Sequence, residues 1–129
     1  MAKTILLVED DAVAQAAMKR ALTEAGYKVD TASSIYEAYE KLGQSPLPYA
    51  AILSDYNLGK RNQTGLEVWQ ATRAYRLKGV FIGSSSKMDK WQQVVDHGDD
   101  PNFHAIAKLD YLWNHAAILA KLTELGITP

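Results

Sequence analysis

The strongest constraint on the fold is a regular alternation between short apolar runs and longer segments whose apolar residues recur with helical period. Apolar runs lie at residues 4–8, 50–55, 79–84 and 103–108, and residues 27–32 alternate between apolar and polar side chains like a more exposed strand. The segments of helical period follow them at about residues 12–25, 35–42, 66–77, 87–97 and 111–125. Five such units predict an α/β fold in which a parallel sheet carries helices on both faces. Right-handed crossovers leave few topologies for such a sheet.

Turn and capping residues mark the boundaries of the first helical segments. Asp11 precedes the first one, where a carboxylate can accept hydrogen bonds from the free N–H groups of a helix N-terminus. Ser33 or Ser34 precedes the second, and Gly26 and Gly43 follow the two segments. Because glycine commonly ends helices, we expect both helices to stop there.

Length and composition limit the classes of function. At 129 residues the chain is predicted to form a single domain, residues 1–129. It has no cysteine, which excludes disulfides, zinc–thiolate sites and thiol nucleophiles. The net charge of −1 lacks the basic surplus of proteins that bind nucleic acid or anionic membranes. We find no signal peptide, and no apolar run approaches the length of ~20 residues that a membrane helix needs. We therefore expect a cytoplasmic location.

Polar residues stand where the predicted strands end. They are Glu9 and Asp10 after the first run, Asp55 in the third, Ser84 in the fourth and Lys108 in the fifth. Ligands of open parallel sheets bind beyond the carboxyl ends of the strands. If the first and third strands are neighbours, their ends lie ~4.8 Å apart and the three carboxylates converge. Because such carboxylates repel one another without a cation, we predict a site for Mg²⁺ or Mn²⁺.

The same residue types suit phosphoryl chemistry. The Asp55 carboxylate can attack phosphorus and become an acyl phosphate. A metal ion and the Lys108 ammonium would offset charge on the transferring oxygens. The Ser84 hydroxyl could donate a hydrogen bond to the phosphoryl group after transfer.

From residue 3 to about residue 125 the chain resembles a receiver domain of the two-component response regulators. The resemblance lies in the stretches ILLVEDD, ILSDYNL, FIGSSS and IAKL, which occur in this order. It implies a flavodoxin-like, doubly wound (βα)5 fold with strand order 2-1-3-4-5. It also implies that Asp55 is the phosphoacceptor and that Glu9 and Asp10 bind the metal. By the same likeness, Ser84 is the switch hydroxyl and Lys108 contacts the phosphate.

Further roles and partners follow from this resemblance. The backbone carbonyl of Asn57 would ligate the metal, and the side chains of Asn57 and Ser86 occupy positions that influence the phosphoryl lifetime. The implied phosphoryl donor is a sensor histidine kinase or a phosphotransfer protein. A downstream protein would read the face built from the fourth helix, the last strand and the fifth helix. We expect a monomer or weak dimer that is not an enzyme beyond its self-catalysed transfer and dephosphorylation, with no nucleic-acid or membrane partner.

Two departures from the family pattern keep alternatives open. Leu109 follows the lysine where the family usually has a cis-proline, and Ala105 stands where an aromatic switch residue is common. We expect a trans bond before Leu109, because a cis bond before a non-proline residue costs ~2.5–4 kcal/mol. An alternative is therefore a pseudo-receiver, an interaction module that is not phosphorylated. A flavodoxin-like FMN carrier shares the topology, but it needs hydroxyl residues after the first strand, where this chain has acids.

The histidines and tryptophans offer weaker signals. His97, His104 and His115 are too scattered along the chain to form a metal site. Trp69 is predicted to be part of the core. Trp91 and Trp113 fall in the fourth and fifth helical segments, where they could either form a partner surface or pack in the core or at its rim. The sequence does not distinguish these two roles.

Overall fold

Five strands and three complete helices define the part of the chain described by the computed structural model. It describes residues 3–43, 49–56, 58, 64, 65, 67, 68, 70, 80–85, 103–108 and 112–129. The strands are β1 (Thr4–Val8), β2 (Lys28–Ala32), β3 (Tyr49–Asp55), β4 (Val80–Ser85) and β5 (Phe103–Ala107). The helices are α1 (Ala12–Glu24), α2 (Ile35–Leu42) and the C-terminal helix (His115–Glu124). Residues 67, 68 and 70 are also helical, within the predicted third helical segment, and so is residue 65, which lies just before the predicted start at residue 66.

The strands form one parallel sheet in the order β2-β1-β3-β4-β5, which confirms the predicted α/β architecture and strand order. In β1, Leu6 and Val8 pack into a core cluster with α2. Ile5 and Leu7 point to the opposite face and join a second cluster with α1 and the C-terminal helix. Successive side chains of a strand alternate between faces. A continuous apolar run such as TILLV is therefore the pattern of a strand covered on both sides.

The expected capping residues occupy their helix termini. The Asp11 side chain accepts hydrogen bonds from the backbone N–H groups of Val13 and Ala14, both at 2.9 Å. Of the two candidate serines, Ser34 is the N-cap of α2. Gly26 follows α1 with φ of 103°, a left-handed conformation that glycine adopts without steric cost. Local side-chain chemistry therefore sets these boundaries as the sequence indicated.

The predicted start of the last helix is wrong. Helical spacing placed it at residue 111, but the helix begins at His115 with Asn114 as its N-cap. The Asn114 side chain accepts a hydrogen bond from the Ala117 N–H at 3.2 Å, which satisfies one of the free donors of the first turn. Trp113 thus precedes the helix, and at 2% exposure it is a core residue rather than part of a partner surface.

Other expectations are tested only where the structure describes the chain. The fourth helical segment, Trp69, Trp91 and His97 lie outside the described residues. Across the described ranges, the helices are all too short or too polar to cross a membrane.

Candidate metal centre

The predicted site residues that the structure describes lie at the carboxyl edge of the sheet. β3 occupies the position between β1 and β4, so the ends of these strands are adjacent. In the register, Val8 is paired with Ser54, and Asp55 is paired with Ser84. Glu9 and Asp10 follow β1 directly, and Lys108 follows β5 directly. The strand order therefore brings four separate segments of the chain to one edge.

Three carboxylates form a cluster at this edge. Glu9, Asp10 and Asp55 each offer one oxygen, and these atoms all lie within 4.8 Å of one another. Glu9 is only 1% exposed and Asp55 8% exposed, whereas Asp10 is exposed to solvent. The cluster thus has a buried floor of two acids and an outer acid that is open to solvent.

Backbone hydrogen bonds fix the chain where it leaves β1. The Glu9 N–H donates to the Ala32 carbonyl at 3.0 Å. The Gln15 side-chain amide donates to the Glu9 carbonyl at 2.9 Å, which ties α1 to the end of β1. The position of the Glu9 backbone is therefore set by the neighbouring strand and by the following helix, not by the carboxylate cluster itself.

Lys108 joins the two buried acids. Its ammonium nitrogen lies 2.7 Å from Glu9 Oε1 and 3.0 Å from Asp55 Oδ2. The Lys108 side chain is only 7% exposed, so water screens these contacts weakly. Charge-assisted hydrogen bonds of this kind are the strong ones in proteins, and they hold the end of β5 against the ends of β1 and β3.

Burial and the paired charges shift the pKa values of Asp10, Asp55 and Lys108. Desolvation raises the pKa of Asp55 even though the Lys108 charge works in the opposite direction. Desolvation, the hydrogen bond to Glu9 and the Glu9 charge together raise the pKa of Asp10. For Lys108, burial works to lower the pKa, but the hydrogen bond to Glu9 and the two carboxylate charges outweigh it and raise the pKa. Asp10 and Asp55 therefore disfavour their charged forms, while Lys108 is held as an ammonium.

Trp113 is the contributor that sequence reasoning missed. Its indole N–H donates a hydrogen bond to Glu9 Oε1 at 3.2 Å. The Lys108 ammonium lies 5.6 Å from the centre of the Trp113 ring, within the range of a cation–π contact. No motif signals this contact, because Trp113 and Glu9 lie 104 residues apart in the chain.

The donor set fits a hard divalent cation. Three carboxylates and one ammonium leave an excess of two negative charges when all are ionised. The ligands are oxygens, and the outer one is open to water, which suits Mg²⁺ or Mn²⁺ better than zinc. Asp10, Asp55 and Glu9 are the side chains that would hold the ion directly or through water.

The remaining predicted residues are placed only in part. Ser84 lies on β4 beside Asp55 in the strand register, as expected for a residue near the phosphoacceptor. Ala105 lies on β5 and packs against the core cluster that contains Leu6. Asn57, Ser86 and Leu109 lie outside the described residues, so the backbone-carbonyl ligand and the peptide bond after Lys108 stay predictions. Among described residues, neither His104 nor His115 belongs to a cluster that could bind a metal.

Comparisons with known proteins agree with this architecture. A family model for the response regulator receiver domain matches residues 5–102 of the chain. No curated protein matches the sequence.

Solved structures of receiver proteins resemble the whole chain. A response regulator receiver protein from Sinorhizobium medicae is 22% identical with a TM-score of 0.79, over 96% of this chain and 94% of the other. The chemotaxis protein CheY4 of Vibrio cholerae is 22% identical with a TM-score of 0.76, over 96% and 98%. The response regulator TrrA of Thermotoga maritima, solved in complex with Mg²⁺–BeF, is 24% identical with a TM-score of 0.75, over 95% and 98%. These likenesses support the fold.

Proposed function

Because this chain belongs to the response regulator receiver domain family, we propose that it is a phosphoacceptor in which Asp55 takes a phosphoryl group in a reaction that requires Mg²⁺ or Mn²⁺. The observation that carries this proposal is the convergence of three carboxylates and one ammonium at one sheet edge. Asp55 lies within 4.8 Å of Glu9 and Asp10, measured between ligand oxygens, and 3.0 Å from the Lys108 nitrogen.

The transfer is a nucleophilic substitution at phosphorus. An Asp55 carboxylate oxygen forms the new bond to phosphorus, and the bond from phosphorus to the donor breaks. The electron pair of that bond leaves with the donor, as an imidazole nitrogen of histidine or as acetate from acetyl phosphate. The product is an acyl phosphate on Asp55, and its later hydrolysis restores the carboxylate. A bound divalent cation supplies charge neutralisation for the phosphoryl oxygens.

The other site residues orient and neutralise. Lys108 is held as an ammonium at the Asp55 carboxylate, so its positive charge is available to the incoming phosphoryl oxygens. Ser84 is proposed as the hydroxyl that donates to the phosphoryl group after transfer, and its register position beside Asp55 supports this role. The backbone carbonyl of Asn57 is proposed as a further metal ligand. The chain catalyses only its own phosphorylation and dephosphorylation.

The proposed partners are those of a signalling module. A sensor histidine kinase or phosphotransfer protein would donate the phosphoryl group at the carboxyl edge of the sheet. Phosphorylation would then bias a two-state equilibrium that a downstream protein reads on the face containing β5 and the C-terminal helix. Lys108 supports this location, since it directly follows β5 and contacts Asp55.

Incubation with acetyl phosphate and Mg²⁺, followed by intact-mass spectrometry, tests the proposal. We expect a mass gain of one phosphoryl group, which disappears in Asp55→Asn and when EDTA removes the metal. Asp11→Asn is the matched control, because it changes a neighbouring acid outside the cluster and keeps an effective N-cap. The control should be modified like the wild type.

The pseudo-receiver alternative predicts a different result in the same assay. This alternative predicts no mass gain with acetyl phosphate and no Mg²⁺-dependent change in tryptophan fluorescence on adding beryllium fluoride. Both results together would show that the chain is an interaction module without phosphorylation. The direct ion pairs of Lys108 with Glu9 and Asp55 are the feature that could make such a module stable without a metal.

A further inference from the structure

The indole of Trp113 is anchored in the core and reaches the acid cluster with its only polar atom. Trp113 is 2% exposed and packs in the same cluster as Ile118 and Leu122 of the C-terminal helix. A buried indole N–H needs an acceptor, since an unpaired donor in the interior is costly. The acceptor is Glu9 Oε1 at 3.2 Å. The ring therefore cannot shift without losing either its packing or this hydrogen bond.

Glu9 is held from several directions by groups of the protein itself. Oε1 accepts from both Trp113 and Lys108, and the Asp11 N–H approaches Oε2 at 3.4 Å. The Trp113 ring also lies 5.6 Å from the Lys108 ammonium. One side chain thus contacts both partners of the buried ion pair between Glu9 and Lys108.

We propose that Trp113 is a positioning residue, whose indole N–H fixes the Glu9 carboxylate in the orientation that a divalent cation requires. This inference rests on the proposed function, because it assumes that the cation binds at Glu9, Asp10 and Asp55. Donors that orient the acidic groups of a metal site commonly change metal affinity by ~10–100-fold when they are removed. Among the described residues, the donor left to Glu9 Oε1 without the indole N–H is the Lys108 ammonium, and the carboxylate can rotate away from the other two acids.

The position of Trp113 also links the acid cluster to the C-terminal helix. It directly precedes Asn114, the N-cap of that helix. Trp113 therefore joins the acid cluster to the start of this helix by direct contact with Glu9. This contact does not involve position 105, where the chain has alanine.

The test compares Mg²⁺ affinity by isothermal titration calorimetry in the wild type and in Trp113→Phe. Phenylalanine retains an aromatic ring but has no N–H group, and we expect binding about tenfold weaker. Site-specific benzothienylalanine at position 113 is the second variant, because it keeps the fused-ring shape and replaces the N–H group with sulfur. It should show the same loss. Ile118→Val is the control for lost packing in the same cluster, and its affinity should match the wild type.

A spectroscopic measurement separates positioning from simple packing. In a ¹H–¹⁵N spectrum, the indole signal that disappears in Trp113→Phe belongs to Trp113. We expect this signal to be protected from solvent exchange in the wild type. It should shift on addition of Mg²⁺ and in Glu9→Gln, which changes the charge of its acceptor.

The outcomes distinguish this inference from the proposed function. If the wild type binds Mg²⁺, Asp55→Asn weakens that binding, and both Trp113 variants bind as the wild type does, then Trp113 has no positioning role and the metal site stands. If the wild type does not bind Mg²⁺, or Asp55→Asn leaves its affinity unchanged, both the metal site and the role of Trp113 are overturned. An affinity loss in Ile118→Val equal to that in Trp113→Phe would attribute the effect to packing and overturn the inference.

Discussion

Replacing Lys108 with methionine should markedly destabilise the protein in the absence of divalent cations. Methionine retains most of the apolar stem but removes the ammonium that lies 2.7 Å from Glu9 and 3.0 Å from Asp55. Both carboxylates then stay in the interior without a counter-charge. Water cannot compensate for the missing positive charge, because the side chains of Lys108, Glu9 and Asp55 are only 7%, 1% and 11% exposed.

The expected magnitude follows from the burial of the pair. Removing one partner of a buried ion pair costs about 3–5 kcal/mol, because an uncompensated charge remains in the interior. A chain of 129 residues unfolds with an entropy of about 0.27 kcal/mol/K, at roughly 2.1 cal/mol/K per residue. The free-energy loss therefore corresponds to a Tm about 10–20 °C lower. If one of the two carboxylates takes up a proton in the variant, the decrease in Tm would lie toward the lower end of this range.

The assay is thermal unfolding followed by far-UV circular dichroism at pH 7, with EDTA or with Mg²⁺. Lys121→Met is the matched control, because it removes a lysine whose ion pair with Glu124 is long, at 3.5 Å, and surface-exposed. We expect that control to lose less than ~1 kcal/mol. Mg²⁺ at about 100 times its Kd stabilises a folded protein by about 2.7 kcal/mol. It should raise the Tm of Lys108→Met at least as much as that of the wild type, since the cation replaces the missing charge.

A Tm for Lys108→Met within about 3 °C of the Lys121→Met control would refute this reasoning. It would mean that the buried carboxylates do not depend on the ammonium. A large decrease in Tm that Mg²⁺ does not reverse would show that the ion pairs stabilise the fold but that a bound cation does not replace the missing ammonium.

Two further predictions concern Asp55 and Asp11. Asp55→Asn should raise the Tm at pH 7 without Mg²⁺, because burial raises the pKa of Asp55 and its charged form therefore opposes folding. Unlike Lys108→Met, this variant leaves no charge unpaired, since Lys108 keeps Glu9 as its partner. This gain in Tm should shrink as the pH falls toward the ordinary aspartate pKa of 3.8, because the wild-type carboxyl then becomes protonated and neutral. A gain that stays constant in melting curves recorded across this pH range would contradict the raised pKa of Asp55. Asp11→Ala should cost about 1 kcal/mol and Asp11→Asn little, because asparagine can also accept from the N–H groups of Val13 and Ala14. Equal unfolding free energies of the two Asp11 variants in urea titrations would show that the cap contributes nothing.

The sequence by itself determined the architecture and the location of the site. Apolar runs and capping residues are local features, so the run TILLV identified a strand and Asp11 a helix start within about one residue. The pair Ser33 and Ser34 likewise marked the start of α2, where Ser34 is the N-cap. Strand ends are also local features, and in a parallel sheet they share one edge. This is why Glu9, Asp10, Asp55 and Lys108 could be assigned to one site before any distance was known.

Only the tertiary structure decided how the site residues differ from one another. Glu9 and Asp10 are adjacent acids with the same local sequence signal, yet the first is buried and the second exposed, because β1 and the elements around it fix the direction of each side chain. Helical spacing also included Trp113 in the last helix, whereas Asn114 is the N-cap and the helix begins at His115, two residues after Trp113. The hydrogen bond from Trp113 to Glu9 joins positions 104 residues apart, and a contact at that separation exists only because folding brings the two segments together.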